Sequence, residues 1–155
     1  MAHIHEKIDF TVGALIVHDG RVLLVHHKKL DYWVVPGGHI ELDEDPDQAL
    51  FREIEEETGL RKEDLEILSE RSEFSFKSDA RLLYRPQWMS FHPFGSGHHH
   101  VVFEHIVRSK SDRIMLAPEE HHDIRWFTVG ELDDEARNIP NEIRWYAKEA
   151  IHIAA

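Results

Sequence analysis

The first forty residues alternate short apolar runs with turn residues, a pattern typical of β-strands. Apolar runs cover Phe10–Val17 and Arg21–His27, and the Asp-Gly pair between them is a strong hairpin signal. A third run, Trp33–Val35, is stopped by Pro-Gly-Gly, and the chain returns over His39–Glu41. The pattern therefore predicts a hairpin followed by two short strands.

The clearest helix signal in the chain comes next. Asp45 is a good N-cap, Pro46 suits the first helical position, and Gln48 can complete a capping box with Asp45. The predicted body runs over Asp47–Thr58, and Gly59 is placed as the glycine that ends the helix. Its candidate core-facing residues are Ala49, Leu50, Phe51 and Ile54.

The second half of the chain predicts further strands and a terminal helix. The predicted strands are Leu65–Glu73, Arg81–Tyr84, Gln87–Phe91, His100–Val107 and Ile124–Phe127. Phe91–His99 is predicted as a loop, Val129–Leu132 as a helical turn and Glu142–Ile153 as the last helix. Strands on both sides of a central helix indicate an α/β (α+β) fold, a mixed sheet between helices. At 155 residues we expect one domain over residues 1–155.

The acidic excess restricts what the chain can bind. Lys and Arg total 18 and Asp and Glu total 30, which gives a formal net charge of −12. A nucleic-acid polymer requires basic clusters to neutralise its phosphates, so we expect no such partner. A small phosphate-bearing ligand stays compatible with this charge if a divalent cation supplies the positive charge.

Absent residue types and patterns exclude several further classes. The chain has no cysteine, which excludes disulfides, thiolate zinc sites and cysteine nucleophiles. No apolar run approaches the length of a membrane span, and Met1–Lys7 does not begin a signal peptide. We therefore expect a cytoplasmic protein without a membrane partner. The oligomeric state stays open, with a homodimer as one alternative.

Three glutamates share one face of the central helix, where they repel one another. Glu53, Glu56 and Glu57 are spaced i, i+3 and i+4, and they lie in the half of the helix where the dipole disfavours negative charge. A solvated acidic face is the usual interpretation of such a helix. The alternative is a hard divalent cation held by these oxygens, because carboxylates suit Mg²⁺ or Mn²⁺.

The spacing of the residues around these glutamates favours the second interpretation. The segment Gly38–Leu60 reads Gly-x5-Glu-x7-Arg-Glu-Ile-x-Glu-Glu-x-Gly-Leu. It resembles the complete signature box of the Nudix hydrolase (MutT-like) family, with every signature position filled. The resemblance implies a mixed sheet between helices, with the box as a loop-helix-loop. It also implies Mg²⁺-dependent hydrolysis, with Mn²⁺ as a substitute, of a nucleoside diphosphate linked to a group X.

Roles carry over from the resemblance position by position. The residues that match the family's metal ligands are Glu53, Glu56 and Glu57. Arg52 matches the arginine that orients the glutamates, Glu44 a position near the metal, and Gly38 and Gly59 the turn glycines. The family often adds a carboxylate shortly before a late Trp-containing strand, and Glu120 matches it best, with Glu119 second.

The resemblance leaves the general base open between Glu53 and Glu120. The residues expected to act in catalysis are Glu53, Glu57, Arg52 and Glu120. Relatives that cleave ADP-ribose tend to carry a proline soon after the box, whereas none lies between Gly59 and Pro86. Relatives that cleave dinucleoside polyphosphates or NADH carry patterns that this chain does not match. Elimination favours a nucleoside di- or triphosphate as substrate.

Histidines and aromatic residues supply candidates for binding that substrate. The chain has 14 histidines, and their spacing matches no recognisable zinc motif. We expect most to lie on the surface, with His39 as the exception that contacts substrate. Trp88 and Phe94 follow the box and could stack on a base, although core packing is the usual place for such residues.

Two other function classes compete with the enzyme. A Nudix-fold module could bind a nucleotide or ADP-ribose without cleaving it, although such modules usually lose an acidic position of the box. A histidine-rich transition-metal store would bind Zn²⁺ or Ni²⁺ even after the box glutamates were mutated. The intact box favours the enzyme over both.

Overall fold

The computed structural model describes residues 4–155, so the first three residues of the Met1–Lys7 segment lie outside it. Eight strands of this part form one sheet. They are β1 (Ile8–His18), β2 (Arg21–His27), β3 (Tyr32–Val34), β4 (Gly37–His39), β5 (Leu65–Ile67), β6 (Trp88–Pro93), β7 (His99–Ser109) and β8 (His121–Phe127). The helices are α1 (Pro46–Thr58), α2 (Val129–Leu132) and α3 (Asn141–Ala154), with 3₁₀ turns at Lys62–Asp64 and Glu135–Arg137. No helix among residues 4–155 has the length and apolar character to cross a bilayer.

Strand β1 organises the sheet because it pairs with three neighbours. It runs parallel to β7 over ten residue pairs, from Ile8 opposite His99 to Val17 opposite Arg108. Its middle pairs antiparallel with β4, and its end forms the predicted hairpin with β2. Asp19 and Gly20 both have positive φ, as a tight two-residue hairpin turn requires. The remaining strands pair antiparallel: β3 and β8 with β2, and β5 and β6 with β7.

Alternate residues of β1 face two separate cores. Ala14 and Ile16 belong to a cluster with Leu50 and Ile54 of α1. Leu15 and Val17 point to the other face, into a cluster that includes Ala147 of α3. The sheet therefore lies between α1 and α3, which confirms the mixed sheet between helices predicted from the sequence.

The capping residues predicted from the sequence are found at both ends of α1. Asp45 accepts a hydrogen bond from the Gln48 backbone, and the Gln48 side chain accepts one from the Asp45 backbone, so the capping box is complete. Pro46 begins the helix, and Gly59 ends it with φ 73°. These local contacts fix where α1 begins and ends, while the packing of Leu50 and Ile54 against the sheet sets where its glutamates point.

Several predicted strand boundaries are wrong. Arg81–Tyr84 is not a strand: Arg81 pairs with Asp45, and the Tyr84 N–H lies 3.2 Å from Asp47 Oδ1, so this segment is held by α1 rather than by the sheet. Other bounds shift. The strand predicted from Leu65 ends at Ile67, the return strand is Gly37–His39 rather than His39–Glu41, and Phe91–Pro93 belongs to β6 rather than to a loop.

We expect Leu50→Ala to lower the free energy of unfolding by about 2–5 kcal/mol, because it leaves a cavity between α1 and the sheet. Leu50 is completely buried in the cluster around α1. Urea denaturation with and without the substitution would measure the loss. Leu42→Ala is the control, since Leu42 is 81% exposed and its truncation should change stability little.

Candidate active site

Arg52 holds the acidic residues of α1 and of the loop before it in one arrangement. Its guanidinium donates to both carboxylate oxygens of Glu44, at 2.6 and 2.9 Å. It also donates to Glu53 at 2.9 Å, to Glu56 at 3.1 Å and to the His39 carbonyl at 2.9 Å. These bonds lower the pKa of Glu44 and raise that of Arg52 above its ordinary value. A planar donor with five N–H groups suits this arrangement, which a lysine could not reproduce.

Glu53 lies against β4, where only a glycine leaves room for its carboxylate. An ideal Cβ on Gly38 would lie 2.6 Å from Cδ of Glu53, which is closer than real contacts allow. Burial, together with the nearby charge of Glu57, raises the pKa of Glu53 to about 7 from its ordinary 4.5. Glu53 can therefore hold or release a proton near neutral pH.

Glu57 is the most buried carboxylate of α1, at 4% exposure. Its Oε2 accepts a hydrogen bond from the Gly37 N–H at 3.0 Å, and its Oε1 lies 3.2 Å from His121 Nε2. Burial raises the pKa of Glu57, while His121 opposes that effect. Glu57, His121 and exposed Glu120 each offer a ligand atom, and these atoms lie within 4.8 Å of one another. The structure thus brings Glu120 beside the glutamates of α1.

The donor set at this point fits a hard divalent cation. The charge of Glu57 is close enough to raise the pKa of Glu53, and Glu120, from the loop before β8, lies beside Glu57 together with His121. Carboxylate oxygens are the ligands that Mg²⁺ and Mn²⁺ prefer. A bound cation would relieve the repulsion among these residues, since Arg52 engages only part of their charge.

A match to a family model shows to which protein family this chain belongs. The model described as "NUDIX domain" matches residues 7–148, which is most of the chain. The chain belongs to the Nudix family. A Nudix-family hydrolase from Clostridium perfringens has a similar structure, with a TM-score of 0.80 and 27% identity over 95% of this chain and 98% of that one.

Two further relatives define how far the similarity reaches. An RNA pyrophosphohydrolase from Pseudomonas putida is 44% identical over 59 residues, so the chain spans 37% of the length of that curated relative. A UDP-X diphosphatase shares the fold with a TM-score of 0.63 at 20% identity, over 99% of this chain and 67% of that one. Hydrolase activity therefore accompanies the family, while the specific substrate does not follow from these similarities.

A cleft of about 470 Å³ opens beside the Nudix carboxylates. Its wall includes Gly38 and Glu57 from the box and Phe94 from the turn before β7. Phe94 stacks on the ring of His100, with centroids 4.4 Å apart. Such a wall of carboxylates and aromatic rings can accept a ligand with a charged and a planar part.

The other residues expected to bind substrate lie outside the wall of this cleft. Trp88 packs against Trp145 and Tyr146, at centroid distances of 5.3 Å. His39 is buried, and its Nε2 lies 2.9 Å from Asp9 Oδ2. A direct contact of either residue with substrate stays a prediction.

Two residues of the cleft were missed as site residues by the sequence analysis. His121 of β8 is buried and lies 3.2 Å from Glu57, whereas most histidines were expected on the surface. Glu104 of β7 also lines the cleft, and its carboxylate lies over Gly13, where any Cβ would collide with it. The sequence did offer a signal for Glu104, because it is an acidic residue in the mostly apolar segment Val101–Val107. Acidic residues are rarely buried in a strand unless they are paired or functional.

We expect Glu104→Gln to flatten the pH dependence of stability. Burial raises the pKa of Glu104 to about 7 from 4.5, and its Oε2 has no hydrogen-bond partner among residues 4–155. The folded state thus favours the protonated form, so stability contributed by this group is present below pH 4.5 and is lost as the pH rises to about 7.

Denaturation at several pH values, in the presence of a chelator, would measure this effect. Above pH 7 the variant should be more stable than the wild type by about 1–3 kcal/mol, and near pH 4 the difference should vanish. A difference that is constant across the range would contradict the assignment. Glu66→Gln is the control, because Glu66 is exposed on β5.

Proposed function

We propose that the chain is a Mg²⁺-dependent pyrophosphohydrolase. Its substrate would be a nucleoside diphosphate linked to a group X, with a nucleoside di- or triphosphate favoured, and its products a nucleoside monophosphate and phosphate-X. The observation that carries the proposal is the buried carboxylate of Glu57 in the wall of a cleft that holds aromatic rings, with Glu53 close enough to Glu57 for their charges to interact.

Three of the four glutamates of α1, namely Glu53, Glu56 and Glu57, would hold the cation, with Glu120 as a further ligand. A divalent cation bound there would neutralise charge on the phosphates and lower the pKa of a bound water molecule. The net charge of −12 is compatible with an anionic substrate only because such a cation would intervene.

Arg52 would fix the positions of the ligands rather than contact substrate. Its side chain is already engaged by Glu44, Glu53, Glu56 and the His39 carbonyl. Ligand oxygens held in this way lose little freedom when the cation binds, which favours binding and orients the substrate. Gly38 and Gly59 would serve the same end by allowing the close approach at β4 and the stop at the end of α1.

The proton of the attacking water would pass to a carboxylate. Glu53, beside Glu57 on α1, is one candidate for this base. Glu120, exposed beside Glu57, is the alternative. Comparing the pH–rate profile of Glu120→Gln with that of the wild type decides between them. The two profiles should have the same shape if Glu53 is the base.

The test is a hydrolysis assay with a panel of substrates in Mg²⁺ and in Mn²⁺, with product identification. The panel contains nucleoside di- and triphosphates, ADP-ribose, NADH, nucleotide sugars, dinucleoside polyphosphates and a 5′-triphosphate RNA. We expect turnover of a nucleoside di- or triphosphate that requires the divalent cation. The sugars and the RNA are included because a UDP-X diphosphatase and RNA pyrophosphohydrolases are among the similar proteins.

Each other outcome overturns part of the proposal. Thermal stabilisation by a nucleotide without turnover of any substrate would support a binding module instead of an enzyme. Preferred cleavage of the RNA would contradict the expectation that no nucleic-acid polymer is a partner. The cytoplasmic location, the homodimer and the single domain over residues 1–155 stay predictions.

A further inference from the structure

A second cluster of potential metal ligands lies inside the protein, apart from the carboxylates of α1. It contains Asp9 of β1, His39 at the end of β4, His98 just before β7 and His100 at the start of β7. The parallel pairing of β1 with β7 sets Asp9 opposite His100. All four residues are at most 8% exposed, so this part of the interior is unusually polar.

Three of these side chains converge on a common point. Asp9, His98 and His100 each offer a ligand atom, and these atoms lie within 4.8 Å of one another. An ion bound at about 2.0–2.2 Å from each ligand requires separations of up to roughly 4 Å. His98 Nε2 already lies 3.2 Å from Asp9 Oδ2, and the ligand atom of His100 lies within 4.8 Å of both.

The bonds around the cluster leave the ligand atoms directed inward. His98 Nδ1 lies 3.2 Å from the carbonyl oxygen of Glu6, to which it donates in one of the two neutral tautomers. In that tautomer the lone pair is on Nε2, which lies 3.2 Å from Asp9 Oδ2, and a bound cation would separate the two atoms. Metal-binding histidines almost always donate their other N–H to a carbonyl or a carboxylate in this way.

Asp9 is oriented by a separate set of donors. Its Oδ1 accepts from the His5 N–H at 2.6 Å, and its Oδ2 lies 2.9 Å from His39 Nε2. The Ile4 N–H also lies 3.2 Å from Oδ1 and 3.3 Å from Oδ2, so the backbone holds both oxygens while Oδ2 faces the histidines. Supporting bonds to ligating carboxylates are typical of metal centres.

We propose that Asp9, His98 and His100 bind a divalent transition-metal ion of the Zn²⁺ type, with His39 positioning Asp9. Two imidazoles and one carboxylate suit Zn²⁺, whereas Mg²⁺ prefers oxygen ligands alone. The site is distinct from the carboxylates of α1 and does not depend on the proposed hydrolysis. A bound ion would fasten β1 to the start of β7, and through His39 to Arg52, which donates to the His39 carbonyl at 2.9 Å.

The experiment measures metal binding by the full chain without a purification tag. Protein stripped with a chelator is titrated with Co²⁺, whose visible absorption reports coordination by nitrogen, and then with Zn²⁺ in competition. Besides any cation held by the carboxylates of α1, we expect the wild type to bind one Co²⁺ with the absorption of nitrogen coordination, and His98→Gln and Asp9→Asn to lose it. His39→Gln, which keeps the ligands, should weaken binding about 10–100-fold.

Two control variants separate this site from other histidines and from the active site. His99→Gln changes the residue between two ligands, whose ring stacks on Phe91 instead, and should bind Co²⁺ like the wild type. Glu57→Gln should retain the Co²⁺ spectrum while losing hydrolysis. Failure of the metal site and failure of the proposed activity are therefore distinguishable.

A measurement on the unaltered protein keeps the proposal testable if a variant does not fold. Crystals soaked in Zn²⁺ and measured at the zinc absorption edge should show an anomalous peak between Asp9, His98 and His100. The proposal is overturned if that peak is absent, or if His98→Gln and His99→Gln bind Co²⁺ equally well.

Discussion

Glu57→Gln should lower turnover in Mg²⁺ by at least about 100-fold while the fold is retained. The amide cannot supply the negative charge that a divalent cation requires, but its oxygen can still accept from the Gly37 N–H. Because burial of the Glu57 carboxylate is unfavourable, the variant should unfold at an equal or higher temperature than the wild type in a chelator. Steady-state kinetics and thermal denaturation measure the two effects.

Glu55→Gln is the matched control for this experiment. Glu55 belongs to the same helix and carries the same charge, but its side chain is exposed on another face. It should keep near-normal turnover. Equal losses in the two variants, or near-normal turnover of Glu57→Gln, would show that the site lies elsewhere.

Gly38→Ala should lower turnover by about 100-fold with little effect on stability, since a displacement of about 1 Å at a reacting site is enough for such a loss. The new Cβ would lie 2.6 Å from Cδ of Glu53. That carboxylate is the end of a flexible side chain and can move aside, so the fold survives. The carboxylate then no longer lies where a cation and its substrate require it.

Gly130→Ala is the control for this substitution. A Cβ there would meet no atom within 4 Å, and Gly130 belongs to α2, far in sequence from the box. Kinetics at saturating Mg²⁺ would separate displaced geometry from weakened metal binding. Full activity of Gly38→Ala would mean that Glu53 need not hold the position described here.

The sequence predicts the box well because its contacts are local. The cap at Asp45, the stop at Gly59 and the spacing of the glutamates all lie within one helix and its flanking residues. The same reasoning fails at Arg81–Tyr84, whose mixed polar and apolar residues satisfy a strand pattern. In the structure this segment contacts residues at the start of α1 instead of pairing with a strand of the sheet.

The remainder of the site depends on contacts between residues far apart in the chain. Glu104 lies over Gly13 only because β1 and β7 pair in parallel, and a shift of one residue would turn it to the other face. The meeting of Asp9 with His100 has the same origin. No spacing along the chain encodes either contact, which is why the histidines matched no ligand motif.

The connection between β5 and β6 lies mostly in solvent and is held at the N-terminal end of α1, by Arg81 and Tyr84. The glutamates project from the opposite end of that helix. Insertions or deletions within residues 72–80 would therefore leave the chemical centre in place. This segment is where the protein can vary in length, or accept a fused peptide, at least risk to catalysis.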